Sequence, residues 1–418
     1  MAKFAGYMKN LILQRPIRVA GTVALPASKS ISNRVLVIDR LAGGDGSLLT
    51  HVADCDDTRA VLSALSDTTG VKNIGAAGTA MRFLTAYYAL QPGAATLTGS
   101  ERMCHRPIAV LVDALRQMGG RIGYAGTDGF PPLRIEGGGL QGGEVRMDGS
   151  VSSQYVSALL MVGPCLPGGL TIRFEGAVAS RPYIDMTLAL MRQFGAQAGW
   201  TTEGALRVHP GGYRPRTFAV ESDWSAASYW YEVMAVSNDP DARLELPGLC
   251  EGSLQGDSRV AEWFEPLGVC TAFTGKGVVL TRGRRSARSL ALDFSRQPDL
   301  AQTMVTTCCI LGIPFHFTGL QSLKIKETDR IASLTTECAK LGCVLTEPAD
   351  GQLRYDGRRQ AHGHPASIAT YEDHRMAMAF APFALYEEAL QIEHPEVVSK
   401  SYPGFWQDWE NCLILHQR

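Results

Sequence analysis

The sequence predicts an α+β/α-β fold in two domains, each made of three βαβαββ-like units, and three observations lead there. The first is length. At 418 residues the chain exceeds what one ordinary hydrophobic core serves, so two or three domains are expected. The second is a period of about 74 residues between helix-like segments. The third is a set of short strands between those segments. Six units of this size account for the chain, and six divide naturally into two groups of three.

One series of segments starts with a small polar residue and runs into an apolar stretch. It comprises GTAMRFLTAYYAL around Thr79, SSQYVSALLM at Ser152, SAASYWYEVM at Ser225, DLAQTMVTTCC at Asp299 and HRMAMAFA at His374. The steps are about 73, 73, 74 and 75 residues. A second series opens near an arginine or serine and ends in a Gly turn, at Arg106, Arg181, Ser258 and Arg330, with steps of about 75, 77 and 72. This period is longer than the roughly 20–50 residues of a solenoid repeat. It suits a folding unit of two helices and several strands. LRIE at 133–136, EVRMD at 144–148, LTIRFE at 170–175, GVVLT at 277–281 and LALDF at 290–294 alternate as half-buried strands do.

Composition narrows the function classes. Forty Lys+Arg stand against 41 Asp+Glu, a formal net charge of −1. A non-specific nucleic-acid binder carries a basic excess, so an anionic ligand here must be met by locally clustered cations. The ten cysteines show no metal-ligand spacing, so no metal site is expected, and in a chain this long they read as reduced thiols of a cytoplasmic protein. No apolar run approaches a membrane span, and MAKFAGYMKNLILQRP lacks a signal-peptide core.

The polar chemistry falls at helix starts: Thr79, Ser152, Ser153, Ser225 and His374. A helix N-terminus offers free N–H groups and a positive dipole end, which suits anions. Any one of these residues is equally a simple N-cap, but the set, with Arg or Lys nearby, points to anion binding. KIKETDR, 324–330, concentrates three cations and two carboxylates. Were 326–330 helical, Lys326, Glu327 and Arg330 would share one face. A surface pair there would contribute only ~0.2–0.5 kcal/mol, so stability does not demand the cluster. PASKSISNR, 26–34, is cationic but lacks the P-loop frame, and GGGLQG at 137–142 precedes a strand-like run rather than a helix, which excludes a dinucleotide fingerprint. Many cations around two lone carboxylates, Asp299 and Glu327, describe an enzyme for small polyanions.

These motifs carry a resemblance. SKSISNR, AGTAMR, RPIAVLVDAL, GSVSSQY, SRPYID, QGD, PDLA, KETDR, DHRMAM and VSKSYP occur in order from about residue 20 to 405. Together they resemble the enolpyruvyl transferase family, in particular the 5-enolpyruvylshikimate-3-phosphate synthases. The resemblance implies a two-domain inside-out α/β barrel-like fold of six βαβαββ units, with domains at 23–222 and at 1–22 plus 223–418 and ligands in the cleft between them. It implies transfer of the enolpyruvyl group of phosphoenolpyruvate to the 5-hydroxyl of shikimate 3-phosphate, with no metal or organic cofactor, in a cytoplasmic monomer. Asp299 would take the 5-hydroxyl proton and Glu327 would handle the proton at the methylene carbon, with Lys29 and His374 beside the reacting groups. Lys29, Gly78, Thr79, Arg106, Gln154, Arg330, Arg375 and Lys400 would hold phosphoenolpyruvate. Lys29, Ser30, Arg34, Ser152, Ser153, Gln154, Ser180, Tyr183, Asp299, Ser322 and Lys326 would hold shikimate 3-phosphate.

Three positions depart from the family pattern. Ala76 stands where an asparagine is usual, Phe83 where a proline is usual, and Ser322 where an asparagine often contacts shikimate 3-phosphate. Weaker phosphoenolpyruvate binding or an altered glyphosate response is the expected consequence. The rival within the family transfers enolpyruvate to UDP-N-acetylglucosamine. It typically has Lys-Asn where this chain has Lys29-Ser30, and SSQ and KETDR also favour the shikimate branch. An RNA-terminal-phosphate enzyme is disfavoured by the neutral net charge, and a non-catalytic binding protein by the full set of charged site residues.

Overall fold

The computed structural model describes residues 10–363 and 366–415. The chain divides into two compact units, residues 27–221 and residues 1–26 with 222–418. Residues 1–9, assigned from the sequence to the second of these, lie outside the described residues. Six sheets form among the described residues, three in each unit.

In the 27–221 unit, strand Val71–Asn73 runs parallel to Gly93–Thr98, and helix Gly78–Leu90 lies between them in sequence. Gly93–Thr98 then pairs antiparallel with Leu133–Gly137, and that strand with Arg121–Tyr124. The same order recurs one repeat later. Gly143–Asp148 is parallel to Leu170–Glu175 around helix Ser153–Val162, followed by helix Arg181–Gln193 and two antiparallel strands, Ala198–Trp200 and Leu206–Val208. A short parallel pair, Leu49–Thr50 with Phe218–Ala219, completes the unit. The stretch GGGLQG leads into strand Gly143–Asp148, in line with rejection of a dinucleotide fingerprint.

The other unit shows the same order at 290–359. Leu290–Asp293 is parallel to Phe315–Thr318 around helix Ala301–Leu311; helix Arg330–Lys340 and strands Cys343–Thr346 and Leu353–Arg359 follow. A second sheet pairs Arg18–Thr22 in parallel with Arg243–Pro247, which continues antiparallel to Gly277–Arg282 and Val269–Thr274. The third pairs Ala366–Ile368 in parallel with Ala389–Glu393, with Asn10–Gln14 antiparallel on the far side. Parallel neighbours need a crossover, so helices Gly78–Leu90, Ser153–Val162, Ala301–Leu311 and His374–Phe380 start shortly after the first strand of their pair, whereas Trp224–Val236 follows Arg18–Thr22 only after the 27–221 unit. That rule brings the polar helix starts to one end of their sheets.

Burial separates the two helix series. Helix Trp224–Val236 is buried except at Ser225, Ala301–Leu311 except at Leu311, and His374–Phe380 throughout. Apolar residues all round a helix fit it only for the middle of a core. Arg330–Lys340 instead buries Arg330, Ile331, Ser333, Leu334, Glu337 and Cys338. That spacing is a single helical face, so this helix covers the core from outside. Two expected starts shift. The helix after Arg106 begins at Ala109, and Ser258 lies in a 3-10 turn before Val260–Phe264, so Arg106 and Ser258 precede their α-helices.

A carboxyl group is buried in this core. Glu232 is fully buried on helix Trp224–Val236. Thr306 and Thr307 Oγ1 donate to carbonyls of their own helix, Gln302 and Thr303. Burial therefore dominates and pushes the Glu232 carboxyl well above the usual range. The folded chain then holds a proton that the unfolded chain releases above about pH 4.3. Stability present below that pH is lost as pH rises toward the raised folded value. Glu232→Gln, which mimics the neutral acid, is expected to raise the melting temperature over the parent by a margin that grows between pH 4 and pH 8. A pH-independent margin in thermal melts would show that Glu232 is ionised in the core.

Candidate active site

The predicted site residues gather into two clusters, one in each unit. In the unit containing 222–418, the centre is Arg330, which is 1% exposed. Its Nε donates to Asp373 Oδ2 at 2.7 Å and its Nη2 to Asp373 Oδ1 at 3.3 Å. Its Nη2 also donates to Glu327 Oε2 at 3.0 Å, and its Nη1 to Asp299 Oδ1 at 3.3 Å. One planar guanidinium thus fixes three carboxylates, a task its rigid fork of donors suits and a lysine does not. Burial opposes its charge, but Asp373, Glu327 and Asp299 together outweigh burial and raise the pKa above its ordinary value.

The other cations close around the same carboxylates. Arg375 Nη2 lies 3.0 Å from Asp299 Oδ2, and its Nη1 donates to Tyr229 Oη and to the Asp299 carbonyl at 3.3 Å each. Lys326 Nζ stands 3.8 Å from Asp299 Oδ1, and Lys400 Nζ 3.9 Å from Glu327 Oε1. His374 is buried, its Nδ1 3.6 Å from Asp373 Oδ1. Asp299, Glu327, Lys326, Arg330, His374, Arg375 and Lys400 are therefore brought together. Ser322 lies part-buried in the 3-10 turn Gln321–Ile325 that leads into the cluster.

KIKETDR reaches this arrangement differently from the helical expectation. Residues 321–325 form the 3-10 turn, 326–329 are non-helical, and the α-helix begins at Arg330. Asp329 caps it, accepting from the Ile331 and Ala332 N–H groups at 3.1 Å. The cap starts the helix only after Glu327, so Glu327 meets Arg330 across a turn rather than along a helix face. Lys324 points away to Glu347 and Asp350.

In the 27–221 unit, Lys29 opens helix Lys29–Leu41, and its Nζ pairs with the buried Asp57 at 3.0 Å. Arg34 lies one turn further along the same helix, nearly fully buried. Its Nη1 donates to the Ser30 carbonyl at 2.8 Å, its Nε to Thr187 Oγ1 at 2.7 Å, and its Nη2 to Ser157 Oγ at 3.2 Å and the Tyr183 carbonyl at 3.4 Å. Burial lowers its pKa to about 10, with Tyr183 acting weakly the other way. The Arg106 guanidinium lies against Gly78: a Cβ there would come within 2.6 Å of Arg106 Nη1. Thr79 Oγ1 accepts from Gln154 Nε2 at 3.3 Å. Ser152 caps the helix that starts at the buried Ser153, accepting from the Gln154 N–H at 3.3 Å. Ser180 precedes helix Arg181–Gln193 at φ 51°, a left-handed conformation that costs a non-glycine residue on the order of 1–3 kcal/mol. Ala76 is exposed just ahead of helix Gly78–Leu90.

Sequence reasoning misses three groups. Asp373 grips Arg330 and also caps helix His374–Phe380 through the Arg375 N–H at 2.9 Å. Its signal is present, an acidic residue just before a helix start, but not its long-range partner. Asp57 orients Lys29 from the next helix. Asp257 is buried and accepts from the Ser225 hydroxyl. Burial first, then the Asp299 charge, pushes its carboxyl up to about 7. Removing that like charge favours ionisation. Carboxyl-labelled 13C NMR of the unliganded protein is expected to show Asp257 titrating near neutrality, and Asp299→Asn is expected to move that titration to lower pH. An unmoved titration would mean that Asp257 does not feel Asp299.

A family model described as EPSP synthase (3-phosphoshikimate 1-carboxyvinyltransferase) matches residues 13–70 and 65–409. A 3-phosphoshikimate 1-carboxyvinyltransferase from Bacteroides fragilis is 54% identical over 397 residues, covering 95% of this chain and 96% of that protein. One from Vibrio cholerae is 38% identical over 428 residues, with 96% and 98% covered. Among solved structures, EPSP synthase from Acinetobacter baumannii superposes with a TM-score of 0.75 at 20% identity, over 98% of this chain and 99% of that one. The enolpyruvyl transferase NikO from Streptomyces tendae gives 0.69 at 14% identity, with 97% of each covered. The mixed helix-and-sheet fold with several small sheets is thus that of EPSP synthase structures.

Proposed function

The chain belongs to the family of EPSP synthases, the 3-phosphoshikimate 1-carboxyvinyltransferases, and from that premise we propose how its two clusters divide one reaction. The activity is transfer of the enolpyruvyl group of phosphoenolpyruvate to the 5-hydroxyl of shikimate 3-phosphate, with release of phosphate. The observation that carries the division of labour is Arg330, which holds Asp299 and Glu327 at fixed positions on one guanidinium. Two carboxylates positioned separately can serve two different proton transfers.

Asp299 takes the proton of the 5-hydroxyl as its oxygen attacks C2 of phosphoenolpyruvate. Glu327 delivers a proton to the methylene carbon, which becomes a methyl group in a tetrahedral intermediate. Glu327 then takes a methyl proton back as the C–O bond to phosphate breaks, and the released phosphate carries away the proton that came from the hydroxyl. Arg330, Arg375 and Lys400, with Lys29, Gly78, Thr79, Arg106 and Gln154 from the other unit, neutralise phosphoenolpyruvate and the charge that builds on its leaving oxygen. Ser30, Arg34, Ser152, Ser153, Ser180, Tyr183, Ser322 and Lys326 hold shikimate 3-phosphate. Lys326 and Lys400 contact Asp299 and Glu327 at 3.8 and 3.9 Å.

The finer architecture is part of the same proposal. Domains at 23–222 and 1–22 plus 223–418 each comprise three βαβαββ units in an inside-out α/β barrel-like fold. The repeated element order at 71–137, 143–208 and 290–359 supports the units. Ten free thiols support a reducing compartment, in keeping with a cytoplasmic monomer. Among the described residues no helix is long and apolar enough to cross a membrane. Phosphate release measured with phosphoenolpyruvate plus either shikimate 3-phosphate or UDP-N-acetylglucosamine tests the acceptor. Release is expected with the first alone; release with the sugar nucleotide, or with neither, would overturn the assignment.

A further inference from the structure

Phe83, which departs from the proline that the family resemblance implies, is fully buried inside helix Gly78–Leu90. Its ring lies beneath the Arg34 guanidinium, whose central carbon is 5.2 Å from the ring centroid. Arg34 is only 2% exposed. The acceptors around it are neutral: the hydroxyls of Thr187 and Ser157 and the carbonyls of Ser30 and Tyr183. Among the described residues no carboxylate forms an ion pair with it. A buried cation without an anionic partner is costly unless dipoles surround it. The negative face of an aromatic ring supplies such stabilisation without consuming a donor, and proline has no equivalent face. The four hydrogen bonds leave one Nη1 hydrogen with no acceptor among the described residues.

We propose that Phe83 is a positioning residue for shikimate 3-phosphate. Its ring fixes the plane of the Arg34 guanidinium so that the remaining Nη1 hydrogen meets an anionic oxygen of the substrate. In this chain the ring takes over part of the support that a counter-ion would otherwise give. The inference rests on the assignment of Arg34 to shikimate 3-phosphate above. It adds a dependence of that site on a residue that never touches the substrate.

Two replacements separate the ring's electrostatics from its bulk. Phe83→Leu keeps an apolar side chain without a ring face. Replacement of Phe83 by 3,4,5-trifluorophenylalanine keeps the shape and withdraws the negative face. Steady-state phosphate release gives KM for each substrate and kcat, and thermal melts report stability. Both variants are expected to raise KM for shikimate 3-phosphate roughly threefold to tenfold. KM for phosphoenolpyruvate and kcat should stay within about twofold, and the fluorinated protein should keep the parental melting temperature. A parental KM for shikimate 3-phosphate in the fluorinated protein would overturn the inference even if Phe83→Leu unfolds, because only bulk would then matter. If the parent releases no phosphate with shikimate 3-phosphate, the functional assignment fails first and takes this inference with it.

Discussion

A single buried guanidinium organises the chemistry of the 222–418 cluster. Arg330 is 1% exposed and bonded to Asp373, Asp299 and Glu327. Removing it would leave three carboxylates close together without the group that bonds to all of them. Breaking one partner of a buried pair costs ~3–5 kcal/mol because the remaining charge is uncompensated. Asp373 contributes a bidentate grip and caps helix His374–Phe380, so it fixes Arg330 and the start of that helix together. The ion-pair network and the backbone are one construction.

The core explains why such a network is held still. Three of the helices that carry it, Trp224–Val236, Ala301–Leu311 and His374–Phe380, are buried on nearly all sides, and Arg330–Lys340 covers the core with one face. Ala301–Leu311 follows the 3-10 turn containing Asp299, and Tyr229 reaches Arg375 from the buried helix Trp224–Val236. Helices packed on all sides lose little further freedom when a ligand binds, so the charged groups at their starts are placed before substrate arrives. The 27–221 cluster follows the same plan. Ser152 caps, Ser153 begins the helix, and Gln154 reaches back to Thr79 on the neighbouring first-series helix.

Much of this is readable in the sequence where the physics is local. Strand Leu170–Glu175 is legible at both ends because alternation and turn glycines mark it without help from tertiary contacts. Asp299, Glu327, Arg330, Arg375 and Lys400 are legible because their motifs match a family in order, and Asp299, Arg330 and the His374–Arg375 pair also stand at repeat positions. What is not readable depends on distant partners. Asp373 meets Arg330 across 43 residues, and Phe83 meets Arg34 through the packing of two helices. Helical geometry misplaces KIKETDR, because the cap at Asp329 starts the helix only at Arg330. Charge spacing alone does not reveal that cap. Asp257, in sequence merely the last residue of QGD, gains meaning from its burial beside Asp299.

The claim that Asp299 and Glu327 split two proton transfers under one arginine has a direct readout. Turnover in D2O labels the methylene group of the enolpyruvyl moiety only if a protein acid adds and removes a proton at that carbon. Deuterium is expected in the methylene of the product and of recovered phosphoenolpyruvate with the parent enzyme, seen by NMR or mass spectrometry. Glu327→Gln is expected to abolish the labelling. Labelling by Glu327→Gln at the parental rate would show that another group carries the methylene proton.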